Sequence, residues 1–237
     1  MDNISAGSGL KKVKTGIFGL DKMLNGGLIE NRPYLVLGGP GAGKSILGVQ
    51  FLMYAISRGE SALYITLEEP YDEIRENMIA FGWDTGKIRI LDISPEGEGT
   101  DTDSYNLNLM VDELKRELEG HTHKRVVLDS TTTIRMLEDS KLKGRRRILS
   151  VMKLLSESNC TSLLLCEEIG EKVTMESFLA RGVIHLHTKI TSSGEKVRAI
   201  SIDKMRGTSF DERLHPYEIT NDGIQVAHEE TPIEIFE

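Results

Sequence analysis

The stretch that decides the reading is YLVLGGPGAGKSILGVQFL, Tyr34 to Leu52. Four strand-like residues, Tyr34–Leu37, run into glycines, then Gly43-Lys44-Ser45, then an apolar repeat at helical spacing. The segment Gly38-Gly39-Pro40-Gly41-Ala42-Gly43-Lys44-Ser45 fits G-x-x-x-x-G-K-[ST] and sits between a predicted strand and a predicted helix, the context the pattern requires. Glycines let successive amide N–H groups turn inward without a Cβ clash, which makes an anion nest at a helix N-terminus. Gly39, Gly41, Ala42, Gly43, Lys44, Ser45 and Ile46 are therefore read as binding a nucleoside triphosphate. Lys44 reaches the β- and γ-phosphates, and the Ser45 hydroxyl is the expected ligand to Mg²⁺. The competing explanation is a glycine loop that merely caps a core helix.

Outward from that loop, apolar runs alternate with helix-like segments. The predicted strands are Tyr34–Leu37, Ala62–Leu67, Ile88–Ile93, Arg125–Asp129 and Ser162–Cys166. Helical patterns cover Gly43–Ser57, Tyr71–Phe81, Leu107–Leu118 and Arg145–Glu157. Short apolar runs bounded by longer amphipathic segments indicate βαβ units and a buried parallel sheet. From Gly182 the texture changes: VIHLHTKI, KVRAISIDKM and YEIT-NDG-IQV read as antiparallel strands, the last joined by an Asn-Asp-Gly turn. Residues 1–12 read as a mobile lead-in and 13–237 as a single domain, with no internal duplication.

Bulk properties narrow the function. The chain of 237 residues carries 29 Lys and Arg against 37 Asp and Glu, a net charge of −8, which argues against a general DNA- or membrane-coating surface. No basic segment with an apolar core stands near the N-terminus, and no apolar run reaches the length of a membrane span, so the expectation is a cytoplasmic protein. Cys160 and Cys166 share a strand face too far apart to bridge and read as buried thiols. The acidic segment Ser94–Asn106 is read as a mobile surface loop rather than a calcium loop, whose spacing it lacks.

Carboxylates then separate catalysis from binding. RVVLDS ends an apolar strand at Asp129, and an Asp at the carboxyl end of a parallel strand faces the ligand crevice, where it can hold Mg²⁺. The alternative is a helix N-cap before TTTIRML. LYITLEEP ends another strand in Glu68 and Glu69, with Pro70 opening the next helix. A carboxylate there could orient and deprotonate water for in-line attack on a γ-phosphate, or the pair could simply be solvated acids at a helix start.

A more selective signal comes from several segments together: TGIFGLDKMLNGGL, GGPGAGKS, LEEP, FGWD, VVLDS and DKMRGTSF…HPYEITNDGI. This combination resembles one domain of the KaiC family, a branch of the RecA-like ATPases, almost end to end. The resemblance implies an α/β RecA-like P-loop fold with a mostly parallel central sheet, helices on both faces and a C-terminal antiparallel extension. It implies ATP and Mg²⁺ as ligands, hydrolysis of ATP, and assembly into a homo-oligomeric, hexameric ring acting on an unidentified partner protein. It assigns Glu68 as the base and Glu69 as the supporting acid. The Lys204-Met205-Arg206 run, Thr208, Thr220 and Asn221 match positions that hold the neighbouring subunit's nucleotide, with Arg206 catalytic in trans. Strand alternation supports this by placing Lys204 and Arg206 on one face and Met205 on the other.

The sequence also departs from the family. It has one such domain where the clock protein that names the family has two, and Ser177-Phe178 stands where phosphate-accepting hydroxyls are adjacent, which speaks against autophosphorylation. Phe210 replaces a histidine that often follows the Arg-Gly-Thr. Two other function classes remain open: a nucleotide-gated binding module with little hydrolysis, and a DNA-dependent motor. His121 and His123 read as a solvated turn, and His185 and His187 as a strand-face pair lacking an evident acid partner. Lys143–Leu149, KGRRRIL, reads as an exposed helix start or an interface rather than a nucleic-acid patch, and Met152 and Met175 as core packing.

Overall fold

The computed structural model describes residues 9–94, 107–168 and 175–230. Among these, nine strands form one sheet in the order β11-β10-β9-β8-β3-β7-β6-β4-β5. Its parallel part consists of β3 (Pro33–Gly38), β4 (Ala62–Thr66), β5 (Arg89–Asp92), β6 (Arg125–Asp129) and β7 (Thr161–Glu167), with β8 (Gly182–Ile190) parallel to β3. The antiparallel extension is β8, β9 (Lys196–Met205), β10 (His215–Thr220) and β11 (Gly223–Val226). A separate two-stranded sheet pairs β1 (Lys12–Val13) with β2 (Leu28–Ile29).

Central strands buried on both faces must be apolar throughout, and every residue of β3 and β4 is buried. Tyr34 and Val36 face one core with α1 (Phe18–Met23), α2 (Lys44–Ser57) and α3 (Tyr71–Ala80). Leu35 and Leu37 face a second core with α4 (Leu107–Gly120), α5 (Thr131–Leu137) and α6 (Lys141–Glu157). The helices thus cover both faces, as the resemblance implies. Cys160 and Cys166 are free thiols in the second core, and burial pushes Cys160 up to about 12.

Several expectations needed revision. Lys11 and Lys12 are not lead-in: Lys12 lies in β1, and its Nζ donates to Leu24 O (2.8 Å) and to Thr208 Oγ1 (2.8 Å). Helix α6 begins at Lys141 rather than Arg145, because the Ser140 hydroxyl caps it by accepting from the Lys143 amide (3.3 Å). Along its first turns Lys143 pairs with Asp139 and Arg147 with Glu138, in keeping with an exposed helix start. The short helices α1, α5 and α7 (Met175–Leu179) have six, seven and five residues, too few for a readable apolar period. His123 is not a solvated loop residue; it is buried against Glu117 at 2.9 Å, while His121 is exposed. His185 does have acid partners, Asp203 at 3.0 Å and Glu168 at 3.4 Å. Met152 is buried as expected, whereas the side chain of Met175 and the segment 95–106 lie outside the described residues.

Candidate nucleotide site

The glycine loop leaves β3 at its carboxyl end and enters α2, where Gly43 takes φ of 92°. That conformation suits glycine alone, and a Cβ at Gly43 would stand 2.8 Å from Ile219 Cδ1. Lys44 is buried and curls over the loop, donating to Gly38 O at 3.0 Å and Gly39 O at 3.1 Å, with Glu167 3.6 Å away. A cavity of about 310 Å³ opens here, lined in part by Gly41, Gly43, Lys44, Ser45, Ile46, Glu68, Glu69 and Asp129. The structure therefore gathers the loop, both glutamates and the strand-end aspartate around one space.

The pair expected to hold Mg²⁺ is already in contact: Ser45 Oγ donates to Asp129 Oδ2 at 2.7 Å. Asp129 is no helix N-cap; Ser130 occupies that position before α5. Tyr64 OH donates to the same Oδ2 at 2.6 Å. Burial raises the Asp129 carboxyl above its ordinary range, and the Tyr64 and Ser45 hydrogen bonds only partly offset it. A hydroxyl and a carboxylate, both hard oxygen donors beside a phosphate-binding loop, fit Mg²⁺, which keeps much of its water shell.

Glu68 and Glu69 follow β4 directly. Glu68 Oε1 accepts from Ser130 Oγ (2.5 Å) and Thr133 Oγ1 (2.5 Å), so α5 holds that carboxylate in place. The Glu69 carboxyl is raised, first by burial and then by the charges of Asp129, Glu73 and Glu68. A second cleft of about 290 Å³ adjoins the first, sharing Ser45, Ile46, Tyr64, Glu69 and Ile74, and its far wall is Met78, Phe81 and Trp83. Tyr64, Ser130, Thr133 and Glu167 were missed from sequence. Glu167 was findable, since it ends an apolar parallel strand beside β3 just as Asp129 does one strand further on.

Two groups of predicted residues part company in space. The Thr220-Asn221 turn joins β10 to β11 beside this chain's own loop: Ile219 lines the cavity, Tyr217 OH donates to Ala42 O at 2.6 Å, and the Ile224 amide donates to Gln50 on α2 at 2.8 Å. The residue before the turn, Ile219, thus stands in the wall of this chain's own cavity. Lys204, Met205, Arg206 and Thr208 lie elsewhere. Lys204 pairs with Val183, which pairs with Leu35, three residues before the loop leaves β3 at Gly38. That is roughly 10 Å back along the strands, with Arg206 further still. Met205 is buried in the first core, Arg206 is exposed, and Lys204 Nζ donates to the carbonyls of Ser177 (2.8 Å) and Phe178 (3.2 Å). Phe210 packs against the first core.

A family model described as "ATPase: KaiC" matches residues 13–231. The chain belongs to the KaiC-like ATPase family. It is 35% identical to a UPF0273 protein of Thermotoga maritima over 92% of this chain and 96% of that one. It is 32% identical to the circadian clock oscillator protein KaiC of Picosynechococcus over 94% of this chain but 46% of the clock protein, so it matches about half of the latter. The crystal structure of a KaiC-like protein from Pyrococcus horikoshii superposes with a TM-score of 0.80 at 32% identity, covering 92% of this chain and 99% of that one. ATP binding and a RecA-like fold follow from this membership, and so does ATPase chemistry in general terms.

Proposed function

We propose that this KaiC-like chain is a Mg²⁺-dependent ATPase subunit that hydrolyses ATP at the interfaces of a ring, hexameric by analogy with the family, in a regulatory role. The observation that carries the reading is a spatial division. Loop, strand-end acids and hydroxyls converge on one cavity, while Arg206 and Thr208 stand at the opposite end of β9, out of reach of it. A cation set so far from its own phosphate site has catalytic use only if another copy supplies the phosphate.

In this reading the loop amides and Lys44 grip the β- and γ-phosphates. Lys44 exchanges its bonds to Gly38 and Gly39 carbonyls for phosphate oxygens. Ser45 and Asp129 would hold Mg²⁺, which supplies charge neutralisation to the triphosphate when bound. The cleft walled by Phe81 and Trp83 takes the base, with the Thr220-Asn221 turn of the same chain at its edge. Glu68, oriented by Ser130 and Thr133 through Oε1, orients the attacking water with Oε2. Glu69, whose carboxyl burial raises, supports proton removal. Arg206 of the adjacent copy, with Lys204 and Thr208, meets the developing charge; such an arginine contributes on the order of 10³-fold or more in rate. Phe210 offers that phosphate no hydrogen bond, which predicts slow turnover.

Phosphate release and solution mass, each with and without ATP and Mg²⁺, test the proposal. Steady release from a multimer, abolished in Lys44→Ala and Glu68→Gln, is the expected result. ATP binding without release would favour the nucleotide-gated binding module instead. Stimulation of release by single-stranded DNA would favour the motor, against which the acidic balance already counts.

A further inference from the structure

Among the described residues, two histidine clusters lie outside the ATP cavity, and their surroundings separate them. Glu117, His121 and His123 meet at one, but both Glu117 oxygens are bonded by the Arg89 guanidinium. A fixed cation on the only carboxylate leaves no charge to attract a second one. The other cluster stands on β8 and β9, where His185 pairs with Ser201 in register. Ile184, Leu186, Ile200 and Ile202 fill the first core, so alternation puts His185, His187 and Ser201 together on the opposite face.

There the rings of His185 and His187 lie with centroids 3.8 Å apart, tilted by 34°, and one ligand atom from each of His185, His187 and Asp203 lies within 4.8 Å of the others. His185 Nδ1 is 3.0 Å from Asp203 Oδ2, close to the edge of about 3.3 Å that two ligands make around a tetrahedral ion with bonds near 2.0–2.1 Å. His185 Nε2 faces Glu168 Oε2 at 3.4 Å, the carboxylate partner that orients a metal-bound imidazole in many sites. Asp203 also accepts from Ser201 Oγ at 2.6 Å, which fixes its other oxygen. His185 is buried and Asp203 exposed, so the group has a fixed floor and an open mouth.

We propose that His185, His187 and Asp203, backed by Glu168, form a binding site for a first-row transition-metal dication of the Zn²⁺ class. Two imidazoles select such an ion over Mg²⁺, which prefers an all-oxygen octahedron. The two carboxylates balance its charge. The ion would join β8 to β9 one residue before Lys204 and beside the end of β7.

The test uses the whole chain after chelator treatment, titrated with Co²⁺ and followed by visible ligand-field absorption, then displaced with Zn²⁺. One Co²⁺ per chain is expected, unmoved by a large excess of Mg²⁺. His187→Ala and Asp203→Asn should each weaken it by more than the roughly 10–100-fold that loss of an outer-shell partner costs. Asp129→Asn and His121→Ala should leave the spectrum unchanged, which separates this site from the ATP cavity and from the Glu117 cluster. Circular dichroism verifies that each variant is folded. Absence of stoichiometric Co²⁺ binding by the folded wild-type chain, displacement by Mg²⁺, or a spectrum indifferent to both His187→Ala and Asp203→Asn would overturn the proposal.

Discussion

Asp129 sits where a proton and a metal ion compete for one carboxylate. Its pKa is raised by burial, so acidification should weaken Mg²⁺-dependent ATP binding at a pH above the ordinary aspartate range, with affinity lost as pH falls through the raised value. Tyr64→Phe removes a hydrogen bond that favours the ionised form, and should move the midpoint upward. Affinity of a fluorescent ATP analogue measured across pH checks this; a midpoint that stays put or moves down contradicts the assignment. Glu68 and Glu69 divide similarly. Glu68→Gln keeps a side chain that Ser130 and Thr133 can hold, so ATP affinity should survive while phosphate release falls by roughly 10²-fold or more. Wild-type turnover in Glu68→Gln together with loss in Glu69→Gln would transfer the water to Glu69. The acids themselves were legible, because strand ends facing a ligand crevice have a readable position. Their hydroxyl partners were not: Tyr64 and Ser130 meet the acids only after β4 and β6 pair in register.

At the scale of elements, the β10–β11 hairpin behaves as part of the nucleotide loop. Tyr217 spans from β10 to the Ala42 carbonyl, a buried acceptor with no route to water. Tyr217→Phe should cost about 1–3 kcal/mol in chemical denaturation and loosen ATP binding, because the loop loses its tether. Ser140→Ala, at the start of α6, should cost about 1 kcal/mol and leave ATP affinity unchanged, since α6 packs on the face of the sheet opposite α2. The predicted parallel strands fell within a residue or two of the observed ones, since a strand buried on both faces has to be a short apolar run. The first turns of α6 escaped notice because Lys141-Leu142-Lys143-Gly144 carries little apolar periodicity. His185 looked partnerless because Asp203 and Glu168 are eighteen and seventeen residues away, and only the β8–β9 pairing and the end of β7 bring them to it.

For the whole molecule the decisive prediction concerns mixed rings. Arg206→Ala and Glu68→Gln subunits should each be nearly inactive alone, yet a mixture should recover some release, because an interface can then combine an intact Glu68 with an intact Arg206. No recovery, while subunits demonstrably exchange, would refute the assignment of Arg206 to a neighbour's site. The sequence by itself determined the nucleotide loop, the parallel α/β core and the family, because each rests on residues close in the chain: glycines before a lysine, apolar runs of strand length, acids at strand ends. Only the tertiary structure decided which chemical groups share a space. It set Ile219 in the wall of its own chain's cavity, set Arg206 at the far end of β9, and gave His185 its two carboxylates. Those relations depend on strand order and register, which form only when the sheet assembles and distant segments are brought within a few ångströms of one another.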